Sequence, residues 1–306
     1  MYDVAIIGAG PAGLSAALIL GRCRRNVIVI DAGHPRNAAS GHMHGFLSRD
    51  GVSPKEFLKI CRDQLSIYPG VELQHGTVTE CQRLENSFDL RAENGATFSS
   101  KLLLLATGLI DPLPPLRGIE KFYGSTVHHC PYCDGWEHRD QAIAVYATGA
   151  GAIEFALELT CWSRDVVLCT NGGKVSREDR ERLRTNGVEC LTESIVCLEG
   201  DGDQLTAIRF GNGKVLPRQA LFFETRPKTA ARFARDMKCD FTDDISIRTG
   251  DSEETNIPGV FVVGNASDGL QMVVMAAAEG ASAAYAINEL LLNQSLVNQG
   301  AKNRIG

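Results

Sequence analysis

Two cysteines separated by two residues, Cys130 and Cys133, are the part of the sequence best suited to chemistry. Two thiols at this spacing can close a small disulfide ring. Asp134 directly follows the second cysteine, where its carboxyl group can give a proton to a departing thiolate. Pro131 favours the first turn of a helix, whose N-terminal amides stabilise a thiolate. The pattern therefore predicts a redox pair, with Cys130, Cys133 and Asp134 as the catalytic residues.

The cysteine pair has two alternative interpretations. A Cys-x-x-Cys pair is also half of a structural zinc site, and His128 or His129 could supply a third ligand. The chain has 10 cysteines, but those outside the pair form no second short pair to complete such a site. The two cysteines could also be packed, inert thiols, although a Pro-Tyr insert followed by Asp-Gly is unusual in a protein core. We therefore favour the redox pair and predict no metal site.

Length, charge and cysteine usage narrow the class of protein. A chain of 306 residues exceeds what one hydrophobic core usually serves, so we expect two domains. A formal net charge of −6 gives no basic surface for nucleic acid. The N-terminus resembles no signal peptide, and no apolar stretch of about 18 residues predicts a membrane span. Cysteines without framework spacing suit a reducing compartment, so we expect a cytoplasmic protein that binds neither nucleic acid nor a membrane.

A glycine-rich turn near the N-terminus predicts a dinucleotide site. Residues 3–7 form a short apolar run, which stops at the turn of residues 8–13 and continues into a helical pattern. The glycines of such a turn let the backbone approach a pyrophosphate, and the helix N-terminus faces its negative charge. Asp31 ends the next predicted strand, where its carboxylate can hold ribose hydroxyls and would repel a 2′-phosphate. The unit therefore predicts FAD or NAD, with binding residues Gly8, Gly10, Pro11, Ala12, Gly13 and Asp31.

The rest of the chain repeats this arrangement and then returns to the first domain. A buried strand at residues 102–105 ends in Ala106-Thr107-Gly108, and the proline-rich segment after it predicts a domain boundary. Residues 141–159 again predict a strand, a small-residue turn and a helix. A late strand ends in Gly264-Asn265, and a long alanine-rich helix follows from about Met272. We therefore predict an α/β fold in which residues 1–114 and 246–306 form one domain and residues 115–245 form another.

In this order, the motifs resemble those of the low-molecular-weight thioredoxin reductases over nearly the whole chain. The resemblance implies two Rossmann-like nucleotide-binding domains, a discontinuous FAD domain and a homodimer. It implies an FAD-dependent thiol–disulfide oxidoreductase in which Cys133 faces the flavin, Cys130 exchanges with the substrate and Asp134 moves the proton. The FAD site that it implies consists of Gly8, Gly10, Pro11, Ala12, Gly13, Asp31, Ala106, Thr107, Gly108, Gly264, Asn265, Gln271 and Met272.

The residues at the expected nicotinamide site differ from those of that family. Its members carry an intact glycine fingerprint in the second domain and then a His-Arg-Arg cluster, whereas this chain has Ala147-Thr148-Gly149 and Thr170-Asn171-Gly172. Each lost arginine removes charge-assisted hydrogen bonds of about 1.5 to 3 kcal/mol. We therefore expect that NADPH is not the electron donor. Asn265 also replaces a usual aspartate, but its amide can still bind the hydroxyls of the ribityl chain.

With these departures, the chain is similar to a side branch of the family. That branch lies near the gliotoxin-type dithiol oxidases and near the reductases that do not use pyridine nucleotide. The Cys-Pro-Tyr-Cys-Asp-Gly-Trp motif and the loop of residues 42–47, with His42 and His44, carry this similarity. It implies a partner that is a thioredoxin-like protein or a small dithiol or disulfide. Two further hypotheses are an oxidase of small-molecule dithiols that uses oxygen, and a flavoprotein without catalytic activity.

Overall fold

The protein, described from a computed structural model over residues 1–242 and 245–302, divides into two compact units. Unit 1 consists of Met1–Ala38, Pro54–Ile110 and the described part of Pro227–Gly306. Unit 2 consists of Ala39–Ser53 and Asp111–Arg226. Two stretches lie outside the described residues. They are residues 243–244, in the predicted segment 115–245, and residues 303–306, in the predicted segment 246–306.

The secondary structure alternates between strands and helices along most of the chain. Unit 1 begins with β1 (Tyr2–Ile7), α1 (Pro11–Arg22), β2 (Val27–Asp31), α2 (Pro54–Leu65), β3 (Val71–His75), β4 (Val78–Arg83), β5 (Phe88–Ala92), β6 (Thr97–Leu105) and β7 (Leu109–Ile110). Unit 2 contains α3 (Ile119–Phe122), β8 (Val127–His128), α4 (Pro131–Asp134), β9 (Ile143–Tyr146), α5 (Ala152–Glu158), β10 (Val166–Cys169), α6 (Arg177–Thr185), β11 (Glu189–Leu191), β12 (Ile195–Asp201), β13 (Gln204–Phe210), β14 (Val215–Pro217) and β15 (Ala220–Phe223). Unit 1 resumes with β16 (Lys228–Thr229), α7 (Arg232–Asp236), β17 (Val260–Val262) and α8 (Val273–Lys302).

A mainly parallel sheet forms the centre of unit 1. Its strands pair in the order β3-β2-β1-β6-β5-β4, and β17 also pairs with β6. The apolar runs of β1 and β6 are buried on both faces, as is typical of parallel strands covered by helices. The carboxyl ends of β1, β2, β6 and β17 meet at one edge of this sheet, because these strands run parallel. The predicted cofactor residues follow these ends, so the topology gathers them at one edge.

Two helices of small residues pack closely in unit 1. A Cβ atom on Gly280 of α8 would lie 2.1 Å from the carbonyl oxygen of Ala12 in α1. Helix α1 begins at Pro11 after Gly10, and no side chain caps it. The alanine-rich C-terminal sequence therefore permits a backbone contact with the helix that carries the glycine turn.

Unit 2 has its own parallel sheet, with strand order β11-β10-β9-β15-β8. An antiparallel sheet of β12, β13 and β14 lies in the same unit. The cysteine pair follows β8, and the second small-residue turn follows β9. No helix among residues 1–242 and 245–302 is long and apolar enough to cross a membrane.

The unit limits differ from the predicted domain limits at three places, one of which is residues 111–114, predicted in the first domain but found in unit 2. Residues 227–245 were predicted in the second domain, yet Phe233, Ala234 and Cys239 belong to the hydrophobic cluster of the unit 1 sheet. Residues 39–53 were predicted in the first domain but belong to unit 2. In that loop, the carbonyl oxygen of Ala39 would lie only 2.1 Å from a Cβ atom placed on Gly124.

The half-buried Glu279 carboxylate supports the turn after β17, and its charge acts on a second half-buried carboxyl group, that of Glu253. The Glu279 carboxylate accepts hydrogen bonds from the Gly264 amide at 2.6 Å and from the Ser267 hydroxyl at 3.0 Å. Burial raises the pKa of Glu279. Burial, and to a smaller extent the Glu279 charge, raises the pKa of Glu253 from 4.5 to about 7. The folded protein therefore binds the Glu253 proton more tightly than the unfolded chain does.

This shift predicts a pH dependence of stability. Between pH 4.5 and about 7 the folded state retains the Glu253 proton and the unfolded state loses it, so stability falls as the pH rises. We expect Glu253→Gln to remove this part of the fall, making the variant more stable than wild type at about pH 8 but not at about pH 5. Urea unfolding at both pH values measures the difference, and Glu254→Gln, an exposed neighbour, is the control. A stability gain that is equal at both pH values would contradict the assignment.

Candidate active site

The two cysteines of the predicted redox pair form a disulfide at the start of a short helix. Cys130 and Cys133 are bonded through their sulfur atoms, with Cα atoms 5.2 Å apart. Cys130 caps α4, because the Cys133 amide lies 3.1 Å from its sulfur and the Asp134 amide donates to its carbonyl at 3.2 Å. Pro131 occupies the first helical position, as predicted from its backbone preference. The spacing therefore leads to a disulfide within one helical turn.

The other described cysteines differ from this pair. All eight are free thiols, and burial raises the pKa of Cys81 and of Cys169 to about 12. Such thiols stay protonated at neutral pH and are poor nucleophiles. In the part of the chain that the structure describes, no group of three or more His, Cys, Asp or Glu residues could hold a metal ion.

Exposed aromatic side chains flank the disulfide. Tyr132 is 68% exposed and Trp136 is 64% exposed. The Arg139 guanidinium lies 4.3 Å from the centre of a Trp136 ring, and the rings of Tyr132 and Trp162 are nearly perpendicular, with centroids 5.6 Å apart. This surface offers apolar and aromatic contacts to a molecule that approaches the sulfur atoms.

Asp134 contacts a buried histidine that the sequence analysis considered only as a metal ligand. The Asp134 side chain is 19% exposed, and its Oδ1 lies 3.3 Å from Nδ1 of His128. His128 in turn lies beside His138, with their Nε2 atoms 3.0 Å apart. The neighbouring His129 points to different partners, the Tyr123 hydroxyl at 3.2 Å and Asp111 at 3.8 Å. The predicted acid–base residue thus belongs to a larger polar cluster.

Backbone contacts fix the glycine turn of unit 1. Gly8 has φ of +105°, and a Cβ atom there would lie 2.3 Å from the Ala106 carbonyl oxygen. A Cβ atom on Gly13 would lie 2.0 Å from the Gly8 carbonyl oxygen. In contrast, a Cβ atom on Gly10 would meet no protein atom within 4 Å. Packing therefore requires Gly8 and Gly13, whereas Gly10 faces open space at the N-terminus of α1.

Asp31 and the turn after β6 add polar groups to this site. The Asp31 carboxylate accepts a hydrogen bond from the Ala9 amide at 3.0 Å and another from Arg62 at 3.0 Å. Each carboxylate oxygen keeps a further lone pair for a hydroxyl group. The buried Thr107 hydroxyl has no hydrogen-bond partner among the described residues. Arg62 could not be identified from the sequence, because nothing in its helix indicates a partner 31 residues away.

Among the C-terminal residues of the predicted cofactor site, Gly264 and Asn265 follow β17, and Gln271 and Met272 precede α8. A Cβ atom on Gly264 would lie 3.0 Å from the Ala12 side chain, so this turn approaches the glycine turn. Asn265 follows it and is half-buried. Gln271 is exposed and accepts a hydrogen bond from Arg36 at 2.6 Å. Met272 precedes α8, which begins at Val273 rather than at the predicted Met272.

The second small-residue turn, in unit 2, faces a carboxylate. A Cβ atom on Gly151 would lie 2.5 Å from Oε1 of Glu224. The turn after β10 is held by its own side chains, because Asn171 accepts from the Ile195 amide at 2.7 Å and the Thr170 hydroxyl donates to the Gly173 carbonyl at 2.9 Å. Neither turn, at residues 147–151 or 170–173, contains a lysine or arginine.

Comparisons with known proteins agree with these features. Residues 2–280 match the model of the family described as pyridine nucleotide-disulphide oxidoreductase. A relative from Arthroderma benhamiae named probable thioredoxin reductase is 30% identical over 301 residues, which cover 87% of this chain and 74% of the relative.

Two solved structures are similar over the whole fold. The structure of putative thioredoxin reductase TrxB from Bacillus anthracis has a TM-score of 0.92 at 30% identity and covers 96% of this chain and 100% of its own. The structure of HlmI has a TM-score of 0.94 at 35% identity, covering 100% and 98%. These matches confirm the predicted α/β fold with two Rossmann-like domains. The chain belongs to the pyridine nucleotide-disulphide oxidoreductase family and is a thioredoxin reductase-like disulfide oxidoreductase.

Proposed function

We propose that the protein is an FAD-dependent thiol–disulfide oxidoreductase that cycles the Cys130–Cys133 disulfide and does not use NADPH as its regular electron donor. The observation that carries this proposal is the disulfide at the start of α4, next to Asp134. Its partner is a thioredoxin-like protein or a small dithiol or disulfide. The resemblance to thioredoxin reductases supports a homodimer, and the free thiols support a cytoplasmic location.

The residues of unit 1 fit FAD. Open space beside Gly10, at the uncapped end of α1, suits a pyrophosphate. Asp31 keeps lone pairs for ribose hydroxyls, and the unpartnered Thr107 hydroxyl supports a polar ligand nearby. Asn265 would hold the ribityl chain. When bound, FAD supplies two-electron exchange with the disulfide.

The FAD assignment predicts a specific effect of Gly10→Ala. The new methyl group meets no protein atom, so the apoprotein should keep its stability, but the group takes up space that the pyrophosphate needs. We expect FAD affinity to fall about tenfold, which equals about 1.4 kcal/mol. Titration of the apoprotein with FAD measures this change. Gly41→Ala, at a glycine with equally open surroundings, is the control, and equal affinities for both variants would contradict the assignment.

The redox pair performs thiol–disulfide exchange through distinct roles of its two sulfur atoms. A thiolate attacks one sulfur of a disulfide and releases the other as a thiolate. We assign Cys130 to exchange with the partner and Cys133 to exchange with FAD. Asp134, the next residue in α4, holds or moves the proton that this exchange requires.

This assignment predicts the behaviour of two serine variants. Cys133→Ser should bind FAD normally and show no turnover, because a hydroxyl cannot take part in the exchange. Cys130→Ser should also lose turnover but leave Cys133 as a thiol outside any disulfide, which iodoacetamide modifies rapidly. Absorbance of bound FAD and steady-state reduction of a disulfide measure the two properties. Cys81→Ser, which removes a partly buried thiol outside the pair, is the control, and unchanged turnover in Cys133→Ser would defeat the assignment.

The charge around the second turn argues against NADPH. The Glu224 carboxylate lies at the turn that a nicotinamide dinucleotide's pyrophosphate would approach, and the turn residues supply no cation. Two like charges in such proximity repel each other. With no nucleotide to supply electrons, the partner dithiol becomes the electron source. This favours a second candidate function, oxidation of small-molecule dithiols by oxygen.

An anaerobic stopped-flow comparison of electron donors tests this point. We expect a dithiol to reduce the bound flavin at least about 100-fold faster than NADPH, since two lost arginine contacts to its 2′-phosphate cost about 3 kcal/mol or more. It should also be faster than NADH, whose pyrophosphate would meet Glu224. Glu224→Gln should raise the affinity for NADH, whereas Glu158→Gln at the far end of α5 should not. Fast reduction by NADPH in wild type would contradict the proposal.

Admitting oxygen then distinguishes the candidates. Hydrogen peroxide formed from a dithiol supports the oxidase. A flavin spectrum that does not respond to dithiols would indicate a flavoprotein without catalytic activity.

A further inference from the structure

A buried polar cluster extends from Asp134 into unit 2. His128 and His138 are 5% and 7% exposed, and the Phe222 ring lies 5.5 Å from the first and 6.0 Å from the second. His138 Nδ1 lies 2.9 Å from Oε1 of Gln141. Buried imidazoles require a hydrogen-bond partner at each ring nitrogen, so the positions of their protons can be worked out.

A backbone carbonyl fixes the proton on one nitrogen of His128. The Ser125 carbonyl oxygen lies 3.0 Å from Nε2 of His128, and a carbonyl oxygen can only accept. Nε2 of His128 therefore carries a hydrogen. The same atom is 3.0 Å from Nε2 of His138, which must then be the acceptor. His138 consequently carries its proton on Nδ1 and donates it to the Gln141 oxygen.

This arrangement leaves one proton for the contact between His128 and Asp134. Nδ1 of His128 lies 3.3 Å from Oδ1 of Asp134. If neither atom carried a proton, a nitrogen lone pair would face a carboxylate oxygen, which is repulsive. One proton placed between them forms either a neutral acid and imidazole or a carboxylate and imidazolium, and both are attractive.

We propose that Asp134 and His128 share one proton when the disulfide is closed, and that this pair gives the proton to Cys133 as the disulfide opens. His138 is a positioning residue that accepts from His128 and keeps its Nδ1 directed at Asp134. The proposal rests on the proposed function and deepens it, because it names the proton source of the same exchange.

The step balances in atoms and electrons. A substrate thiolate attacks Cys130, the bond between the two protein sulfurs breaks, and Cys133 leaves as a thiolate that takes the shared proton. Asp134 and His128 then accept the proton of the substrate's second thiol. The resulting thiolate attacks the substrate sulfur of the mixed disulfide and releases Cys130 as a thiolate. The substrate dithiol loses two electrons, which the protein disulfide gains, and the reverse sequence reduces a substrate disulfide.

The charged groups around the cluster are consistent with these roles. The groups that face His138 are His128, Gln141, Asp134 and Glu137, and Glu137 itself lies 3.5 Å from His44 of the 39–53 loop. Burial is the largest influence and lowers the pKa of His138 despite the two carboxylates. A neutral His138 keeps the free lone pair that the Nε2 hydrogen of His128 requires.

The test is anaerobic reduction of the disulfide in the purified holoprotein by dithiothreitol, followed by acid quenching and mass analysis of alkylated Cys130 and Cys133. When a protein acid supplies the proton, the wild-type rate constant per dithiothreitol thiolate should fall as the pH rises. His128→Asn keeps an amide near the Nδ1 position but cannot release a proton. We expect its rate at pH 7 to fall about 10- to 100-fold, toward the lower end of general acid–base effects, and to lose its pH dependence.

Matched variants separate this role from a structural one. His129→Asn changes the neighbouring histidine, which contacts Tyr123 and Asp111 instead, and should retain the wild-type pH profile. His138→Leu should slow reduction about tenfold, and His138→Gln, whose oxygen can accept from His128, should restore it. Asp134→Asn combined with His128→Asn should be no slower than either variant alone, because the two residues act as a unit.

Each outcome decides the proposal. If dithiothreitol fails to reduce the wild-type disulfide, the proposed function fails. If the wild type is reduced but His128→Asn, folded by near-UV circular dichroism, shows the same rate and pH profile, the shared proton is overturned and the proposed function stands. Equal losses in His128→Asn and His129→Asn, or additive losses in the double variant, also overturn it.

Discussion

Unit 1 depends on a close approach between three pieces of backbone. The Ala106 carbonyl oxygen lies where a side chain at residue 8 would stand, and the Gly8 carbonyl lies where a side chain at residue 13 would stand. These contacts hold the end of β1 against the end of β6 and draw the first turn of α1 onto both. The amides at the start of α1 consequently face the open space beside Gly10. Backbone packing creates the cradle that we propose holds FAD, and polar side chains such as Asp31 complete it.

Unit 2 keeps the same order of strand, turn and helix but changes the chemistry of the turn. Its parallel sheet needs only apolar strands and small turn residues, which β9, β10 and residues 147–151 supply. Glu224 lies beside the first of its turns, and Asn171 in the second serves the backbone of Ile195. The fold and the charge of its turns are thus separable here, and unit 2 carries the cysteine pair.

Local patterns explain what the sequence could predict. The glycine spacing, the apolar strands and the short distance between Cys130 and Cys133 are signals within a few residues, and each led to the structure that it predicted. The placement of residues 39–53 in unit 2 could not be predicted, because a polar loop has no periodicity that identifies its partner. Arg62 and Glu224 act through contacts distant in sequence. His138 was missed because a buried polar cluster has no repeating pattern.

The polar cluster of Asp134, His128 and His138 also gives a reason why, of the ten cysteines, we propose that only Cys130 and Cys133 are reactive. Opening a disulfide places negative charge on sulfur, and a partly buried position disfavours that charge unless a proton or a hydrogen bond is at hand. Burial raises the pKa of Cys81 to about 12, and it raises that of Cys169 to about 12 although the charges of Arg218 and Lys214 act in the opposite direction. Burying two imidazoles is costly unless each nitrogen is satisfied, and the contacts with Ser125, Gln141 and Asp134 satisfy them. In our proposal, reactivity therefore depends on the polar cluster that begins at Asp134, next to Cys133, and the Cys-x-x-Cys spacing brings the two sulfur atoms within bonding distance.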